Sequence, residues 1–411
     1  MKTVGLITEY NPFHNGHLYH LEKSKEASGA DFCIVLMSGS FVQRGAPAIY
    51  DKYVRTAMAL NAGADLVFEM PVSFSTASAR EFAAYGVSLL SALGVVDTIS
   101  FGSECGNLSE LQKIAKILTE EPKEYAEALR QYVKEGMTFP EARNQALLGY
   151  IDPESKDILK SPNNILGIEY CRAAFQSDSS VALHTISRKG NGYHDISTDN
   201  SLSSATAIRR MIESGNSSNR NREASDLQRL VPAFVFEHIN KDTPLYINDF
   251  SALLNYRIQM ELNFLPMEKI SDMTPELAAR IRKTALSPDT FENRISELKS
   301  RQVTYTRVSR ALLHLLLNIC DEDISRFKAE GYASYARILG FRKSAAPLLS
   351  FIKANSSVPL ISKLADASGY LSDTGKLMLE QEIRSSHLYS TVKKEKGCAF
   401  KNEYTQPIVI I

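Results

Sequence analysis

The sequence predicts an α/β fold in its N-terminal part, built on a parallel sheet, followed by a mostly helical C-terminal region. Three observations predict it. Short apolar runs alternate with helical patterns through the first ~105 residues, as in a parallel sheet covered on both faces. Two histidines flank an Asn-Gly pair where the first run would turn into its first helix. Beyond about residue 245 the apolar spacing is almost wholly helical.

Taken in order, residues 4–7 (VGLI) are the first buried strand, and 17–27 a helix. Residues 32–37 (FCIVLM) are the second strand, and 53–62 a helix closed by Gly63. Residues 65–70 (DLVFEM) are the third strand, 78–93 a helix ending at Gly94, and 98–101 (TISF) the fourth strand. Charged helical patterns cover 109–150, and another helix covers 163–175. Residues 181–186 (VALHTI) are a fifth strand, 189–192 a loop, and a further helix begins within 200–215. The polar stretch 215–225 (GNSSNRNREAS) has no periodicity. It divides the chain into 1–225 and 226–411. In the second part, Arg307, Arg310, His314 and Asn318 share one helix face and Val308, Leu312, Leu315, Leu316 and Ile319 the other. Ligands of such sheets lie beyond the carboxyl ends of the strands. The loops after Ile7, Met37, Met70 and Phe101 are therefore where chemistry is expected.

Composition bounds the function. With 44% hydrophobic and 23% charged residues in 411, wholesale disorder is excluded. The formal charge is zero, which excludes a uniformly basic coat. Residues 251–411 nevertheless hold 23 Lys+Arg against 17 Asp+Glu, leaving 24 against 30 in the rest. The basic residues cluster at Arg282, Lys283, Arg294, Lys299, Arg301, Arg307 and Arg310, then at Arg337, Arg342 and Lys343, and again at Lys393, Lys394 and Lys396. Such asymmetry fits a polyanionic partner or a solvated helical surface equally well. The five cysteines form no CxxC pair, so they read as reduced thiols of a cytoplasmic protein, without a zinc knuckle. The longest late apolar stretch, 311–320, is too short to span a bilayer, so no membrane partner is expected.

The strongest signal is His14-Asn15-Gly16-His17. A helix N-terminus presents unpaired N–H groups and the positive end of its dipole, which suits phosphate. Gly16 lets a ligand approach the backbone, and two imidazoles can donate to phosphate oxygens. Alone, an HxxH pair is more often structural or metal-binding; its position after the first strand favours the anion site. A second helix start carries Ser204-Ala205-Thr206-Ala207-Ile208-Arg209. By itself this would be an ordinary N-capped helix.

The pair HxGH and a late Ser/Thr-rich motif resembles the nucleotidyltransferase and class I tRNA-synthetase superfamily, implying a Rossmann-like nucleotidyltransferase domain. Ser204, Thr206 and Arg209 match the late motif ISSTxIR. Ala205 replaces its second serine, so one hydroxyl contact is absent. The match is closer still. GLITEYNPFHNGH at 5–17, MSGSFVQRGAPA at 37–48, GADLVFEMP at 63–71, FGSE at 101–104, SPNNILGIEY at 161–170 and SATAIR resemble the bacterial tRNA(Met) cytidine acetate ligase family. The likeness continues more weakly through YARILGFRK at 335–343.

That resemblance implies an ATP-dependent ligase. It would activate acetate to acetyl-adenylate and acetylate N4 of the wobble cytidine of elongator tRNA(Met). It implies ATP contacts along Ile7, Thr8, Glu9, Tyr10, Asn11, Pro12, Phe13, His14, Asn15, Gly16, His17, Leu18, Tyr19 and His20, with Gly102, Asn163, Arg188, Ser204 and Thr206. His14, His17 and Arg209 would be catalytic. Each isolated residue also has a plain reading: Gly102 a turn glycine, Arg188 a surface arginine, and Asn163 a helix cap, with Asn164 an alternative to it. The loop Gln43-Arg44-Gly45 follows the second strand and would close over acetate or the adenylate, with Arg44 a candidate for the acetate carboxylate. Asp51, Lys52 and Arg55 would support that loop or lie on a surface helix, the latter being favoured. His20, Glu104 and Glu169 are conceivable bases, whereas His184 and His194 read as structural. Arg282, Lys283, Arg301, Arg307, Arg310, Arg342 and Lys343 are candidates for tRNA phosphates. Mg2+ would ride on ATP, with no protein-ligated metal. Two rivals remain at this point: a small-molecule adenylyltransferase with the same motifs, and a non-catalytic tRNA-binding protein on the same scaffold.

Overall fold

The computed structural model describes residues 1–151, 153–177, 179–188, 204–214, 220–261 and 266–411. The loop expected at 189–192, His194 and residues 215–219 of the polar stretch lie outside the described residues.

All five expected strands form. They are β1 (Thr3–Thr8), β2 (Phe32–Ser38), β3 (Leu66–Met70), β4 (Thr98–Ser103) and β5 (Ala182–Ser187). β1 pairs in parallel with β2 and β4, β2 with β3, and β4 with β5. Cys33 to Met37 are wholly buried, since helices cover both faces of the sheet. Helices α1 (Asn15–Ser28), α2 (Lys52–Asn61), α3 (Ala79–Ala92) and α4 (Pro162–Gln176) follow their strands. Helix α5 (Ala205–Ser214) carries the late motif. A short hairpin, Phe41–Val42 against Ala46–Pro47, rises from the end of β2.

The region after residue 225 is mostly helical, as expected, and includes α6 (Tyr305–Leu317) and the 23-residue α7 (Asp373–Glu395). It also adds three strands that the sequence reading did not anticipate: β6 (Ala336–Phe341), β7 (Leu360–Ile361) and β8 (Val409–Ile410). β6 runs antiparallel to β3, and β7 and β8 pair with β6. The eight-stranded sheet has the order β8-β6-β3-β2-β1-β4-β5, with β7 beside β6. The sheet therefore crosses the division expected at residue 225. The ARILGF run is apolar enough to be buried in a sheet, but its partner strand is far away in sequence.

Burial also revises the start of α2. Favoured as a surface helix, it instead buries Lys52 and Arg55 almost completely. Lys52 Nζ lies 2.6 Å from Glu69, 2.8 Å from Glu403 and 3.4 Å from Glu382. Arg337, from β6, bonds Glu69 at 2.7 Å and Glu403 at 2.6 Å. It is thus a core residue rather than part of a basic surface. Burial and the Glu69 carboxylate push Glu382 up to about 8. Burial acts the same way on Glu403, but Lys52 and Arg337 outweigh it and hold that group down to about 2. Arg55 donates to the carbonyls of Glu9 (2.7 Å), Ser38 (3.0 Å), Tyr50 (2.9 Å) and Gly39. It ties the carboxyl ends of β1 and β2 together, rather than bonding the 43–45 loop it was weighed as supporting.

Candidate active site

The first motif forms where β1 gives way to α1. His14 is the N-cap of α1: its Nδ1 accepts the Gly16 N–H at 3.0 Å. That places the ring proton on Nε2, which can donate to a ligand. The His17 ring stacks on His14 at 3.7 Å, and its Nδ1 is buried without a partner. Burial, with Arg188 and Arg209 nearby, holds His14 down to about 3. Burial and the neighbouring His14 and Arg188 lower His17 strongly as well, and burial with Arg188 and His184 brings His20 to about 4. All three are neutral donors at pH 7, not cations. α1 begins at Asn15 rather than at His17 because the imidazole cap supplies the missing acceptor.

The second motif closes onto the first. Ser204 Oγ accepts the Ala207 N–H at 3.3 Å, which starts α5. Arg209 donates to the Asn11 carbonyl at 2.8 Å and to Thr206 Oγ1 at 3.1 Å. Segments 198 residues apart in sequence are thereby held at one wall. Between them lies a cavity of about 270 Å³ at the carboxyl ends of the strands. His14, Gly16, His17, Ser204, Thr206 and Arg209 all line it.

The far wall comes from β4, β5 and α4. Gly102 and Arg188 sit side by side; a Cβ on Gly102 would lie 3.4 Å from Arg188 Cγ. Asn163 lines the cavity and donates to Glu104 at 2.6 Å. Asn164 does not line it; it is buried and accepts the Cys105 N–H at 3.0 Å. The geometry thus separates the two asparagines that sequence left equivalent. Glu104 also takes the Asn163 and Asn164 N–H groups at 3.3 and 2.8 Å, so it caps α4. Glu169 faces Arg143 at 3.4 Å. Of the three conceivable bases, only His20 lines the cavity.

A neutral-imidazole helix cap, an arginine clamp and an open cavity at strand ends fit binding and displacement at a phosphate. The HIGH Nucleotidyl Transferase family profile matches residues 1–404. A tRNA(Met) cytidine acetate ligase of Thermoanaerobacter sp. (strain X514) is 41% identical over 406 residues, 97% of each chain. That of Acetivibrio thermocellus is 40% identical over 418 residues, all of both chains. The chain belongs to the tRNA(Met) cytidine acetate ligase family. Thermotoga maritima TmcAL bound with alpha-thio ATP has the same fold, with a TM-score of 0.90 and 30% identity over the whole of both chains.

Within this member of the family, Ile7, Thr8, Glu9, Tyr19, Arg44, Gly102 and Arg188 line the cavity together with the residues above. Tyr10, Asn11, Pro12, Phe13, Asn15 and Leu18 do not. They frame it instead. Tyr10 and Phe13 pack edge to face at 4.7 Å in the core, and Asn11 Oδ1 accepts the Ile49 N–H at 2.8 Å. Asn15 donates to the Arg229 carbonyl at 2.8 Å. Gln43, in the loop that sequence placed over the acyl group, lines the cavity as well, and lining residues that sequence missed include Phe82, Phe101 and Tyr170. Pro162, Leu166 and Tyr170 recur every four residues, so one face of α4 carried a readable signal.

The basic candidates divide. Lys283, Arg301 and Lys343 are exposed. Arg282 is engaged by Glu268 at 2.6 and 3.0 Å, and Arg310 by Asp272 at 2.7 and 3.0 Å. Because β6 is antiparallel, Arg342 and Lys343 fall at the amino end of the parallel strands, away from the cavity; the Arg342 N–H bonds the Asp65 carbonyl. The polar face expected on α6 is covered: His314 is buried between Thr76 (3.0 Å) and the Ser271 carbonyl (3.1 Å). Among the described residues, no group of three or more His, Cys, Asp or Glu could hold a metal ion, and no helix is long and apolar enough to cross a membrane.

Proposed function

We propose that this protein activates acetate with MgATP, releasing pyrophosphate, and acetylates N4 of the wobble cytidine of elongator tRNA(Met). The products are N4-acetylcytidine and AMP, and the setting is the cytoplasm. The single observation that carries this reading is the Arg209 clamp, which brings both phosphate-binding motifs to one cavity in a chain similar to the family over its full length.

The reaction needs positioning and charge stabilisation more than a covalent nucleophile. His14 Nε2 and His17 donate to phosphate oxygens as charge develops at the α-phosphorus. The first turns of α1 and α5 add N–H groups, and Arg188 and Arg209 add fixed charge. Asn163 and the bare backbone at Gly102 receive the nucleoside. Arg44, at the cavity mouth, meets the acetate carboxylate. Mg2+ arrives with ATP. The tRNA lies across the exposed Lys283 and Arg301 and the half-buried Arg307. Its wobble base leaves the loop stack to enter.

The test is incorporation of radiolabelled acetate. Purified protein is incubated with ATP, Mg2+ and unmodified tRNA, and acetyl-CoA replaces acetate plus ATP as the control. Label in the anticodon-loop cytidine of tRNA(Met), lost in His14→Ala and His17→Ala, is the expected result. ATP binding without label in any tRNA would overturn the reading.

A further inference from the structure

The cavity has two flanks, and only one suits a nucleoside. On the β4–β5 side lie Gly102, Asn163 and Arg188; on the β1–β2 side lie Glu9, Gln43 and Arg44. The histidines and Arg209 stand between. In an in-line displacement the entering oxygen and the leaving pyrophosphate occupy opposite sides of the α-phosphorus. The nucleoside lies off that axis; with adenosine filling the first flank, the second is the one left open to the acyl group.

Gln43 is held on that flank with unusual firmness. It sits in the hairpin between Phe41–Val42 and Ala46–Pro47. Its own N–H donates to Glu9 Oε1 at 2.9 Å. Two residues on, the Gly45 N–H closes the turn onto the Val42 carbonyl at 2.9 Å. The Gly45 carbonyl accepts Ser309 Oγ from α6 at 2.9 Å. The Gln43 side chain, by contrast, lines the cavity with its amide Nε2 buried and without a hydrogen-bond partner. A buried donor without an acceptor is costly, and such groups mark places where a ligand supplies the partner. The Gln43 amide is neutral, so it can serve an oxygen that is charged at one stage and carbonyl-like at the next.

We propose that Gln43 is a catalytic residue of the acyl subsite: its amide donates to the acetyl oxygen through both half-reactions. This rests on the acetate-ligase reading above. In the first step, one acetate oxygen forms a bond to the α-phosphorus as the bond to pyrophosphate breaks. The other oxygen becomes the carbonyl of the adenylate and stays on the Gln43 N–H. In the second step, the cytidine N4 adds to the carbonyl carbon, and negative charge develops on that same oxygen. The C–O bond to AMP then breaks, AMP leaves with the electron pair, and N4 releases one proton to solvent. One donor thus serves as carboxylate anchor and then as oxyanion partner.

The test uses full-length Gln43→Ala and Gln43→Glu with three readouts: binding of an ATP analogue, acetate-dependent ATP–pyrophosphate exchange, and acetyl transfer to tRNA. Gln43→Ala is expected to raise the acetate KM in exchange by roughly 10- to 100-fold, the loss of one hydrogen bond to a charged group. ATP-analogue binding and the melting temperature stay unchanged. Truncation also opens the subsite, so propionate gains on acetate. Gln43→Glu repels the carboxylate and abolishes exchange. An acetate KM and acid preference like wild type in Gln43→Ala would overturn the proposal. So would a loss of ATP binding equal to the loss of exchange, because that places Gln43 on the nucleotide. No acetate-dependent exchange in the wild type would instead be a failure of the ligase reading itself.

Discussion

His14 accepts a hydrogen bond from its own helix and is therefore fixed as a neutral donor. Its depression to about 3, and that of His20 to about 4, carry two consequences. First, kcat/KM for ATP shows no imidazole titration between pH 5 and 8, which a pH–rate profile checks. Second, these rings titrate near the ordinary 6.5 in the unfolded chain. Their contribution to stability is complete above that value and is lost as pH falls towards 4 and then 3. Melting temperature therefore falls between pH 7 and 5, and less steeply in His20→Gln. Glu382 behaves in the opposite sense. It keeps its proton in the fold up to about 8, whereas the unfolded chain ionises near 4.5. Its contribution is intact below 4.5 and lost as pH rises to about 8. A glutamine there can accept the Val72 N–H, now bonded at 2.7 Å, and donate towards Glu69. Glu382→Gln should match wild type near pH 4.5 and melt higher at pH 8.5, as calorimetry would read.

The elements differ in how readable they were. The five parallel strands were legible because each is a short apolar run bounded by turn residues. The motif residues were legible because they open helices, the first of them just after a strand. The hairpin at Phe41–Val42 was legible only as a loop at a strand's carboxyl end: its strands are two residues long, and nothing in the sequence set Gln43 apart from Arg44 beside it. Its role appears only through contact with α6. Gly45 has φ of +76°, and a Cβ there would lie 2.5 Å from the Arg310 backbone nitrogen. Gly45→Ala must therefore push the hairpin off α6, at a cost of about 1–3 kcal/mol. Acetate activation should fall by at least tenfold while ATP-analogue binding holds, which parallel titrations would show. Arg209→Lys, losing the fork that spans Asn11 and Thr206, should weaken ATP binding itself.

At the scale of the molecule, charge asymmetry between the halves was a poor guide to individual residues. Arg337 and Arg294 are buried, and Arg342 lies at the wrong end of the sheet for the cavity. Periodicity cannot reveal this, because it depends on a strand pairing across most of the chain. Reversing Arg301 and Arg307 to glutamate should weaken tRNA binding and flatten its salt dependence, with acetate-dependent exchange intact. Equal loss of both activities would contradict that division of labour. Cutting the chain at residue 225 should not yield a folded catalytic unit. β3 would lose β6, and Lys52 and Glu69 would lose Glu382, Arg337 and Glu403. Soluble yield and circular dichroism of the fragment check this.

The pairing of β3 with β6 also sets a clock on the ribosome. Glu69 and its partner Arg337 are 268 residues apart. At ~5–20 residues per second, on the order of 10–50 s pass between the synthesis of one and of the other. Throughout that interval the nascent β3 has an open, apolar edge and carries Glu69 before its arginine partner exists. An unpaired edge of this kind invites pairing with neighbouring chains on the same message. That edge closes only when residues 336–341, in the last quarter of the chain, have emerged.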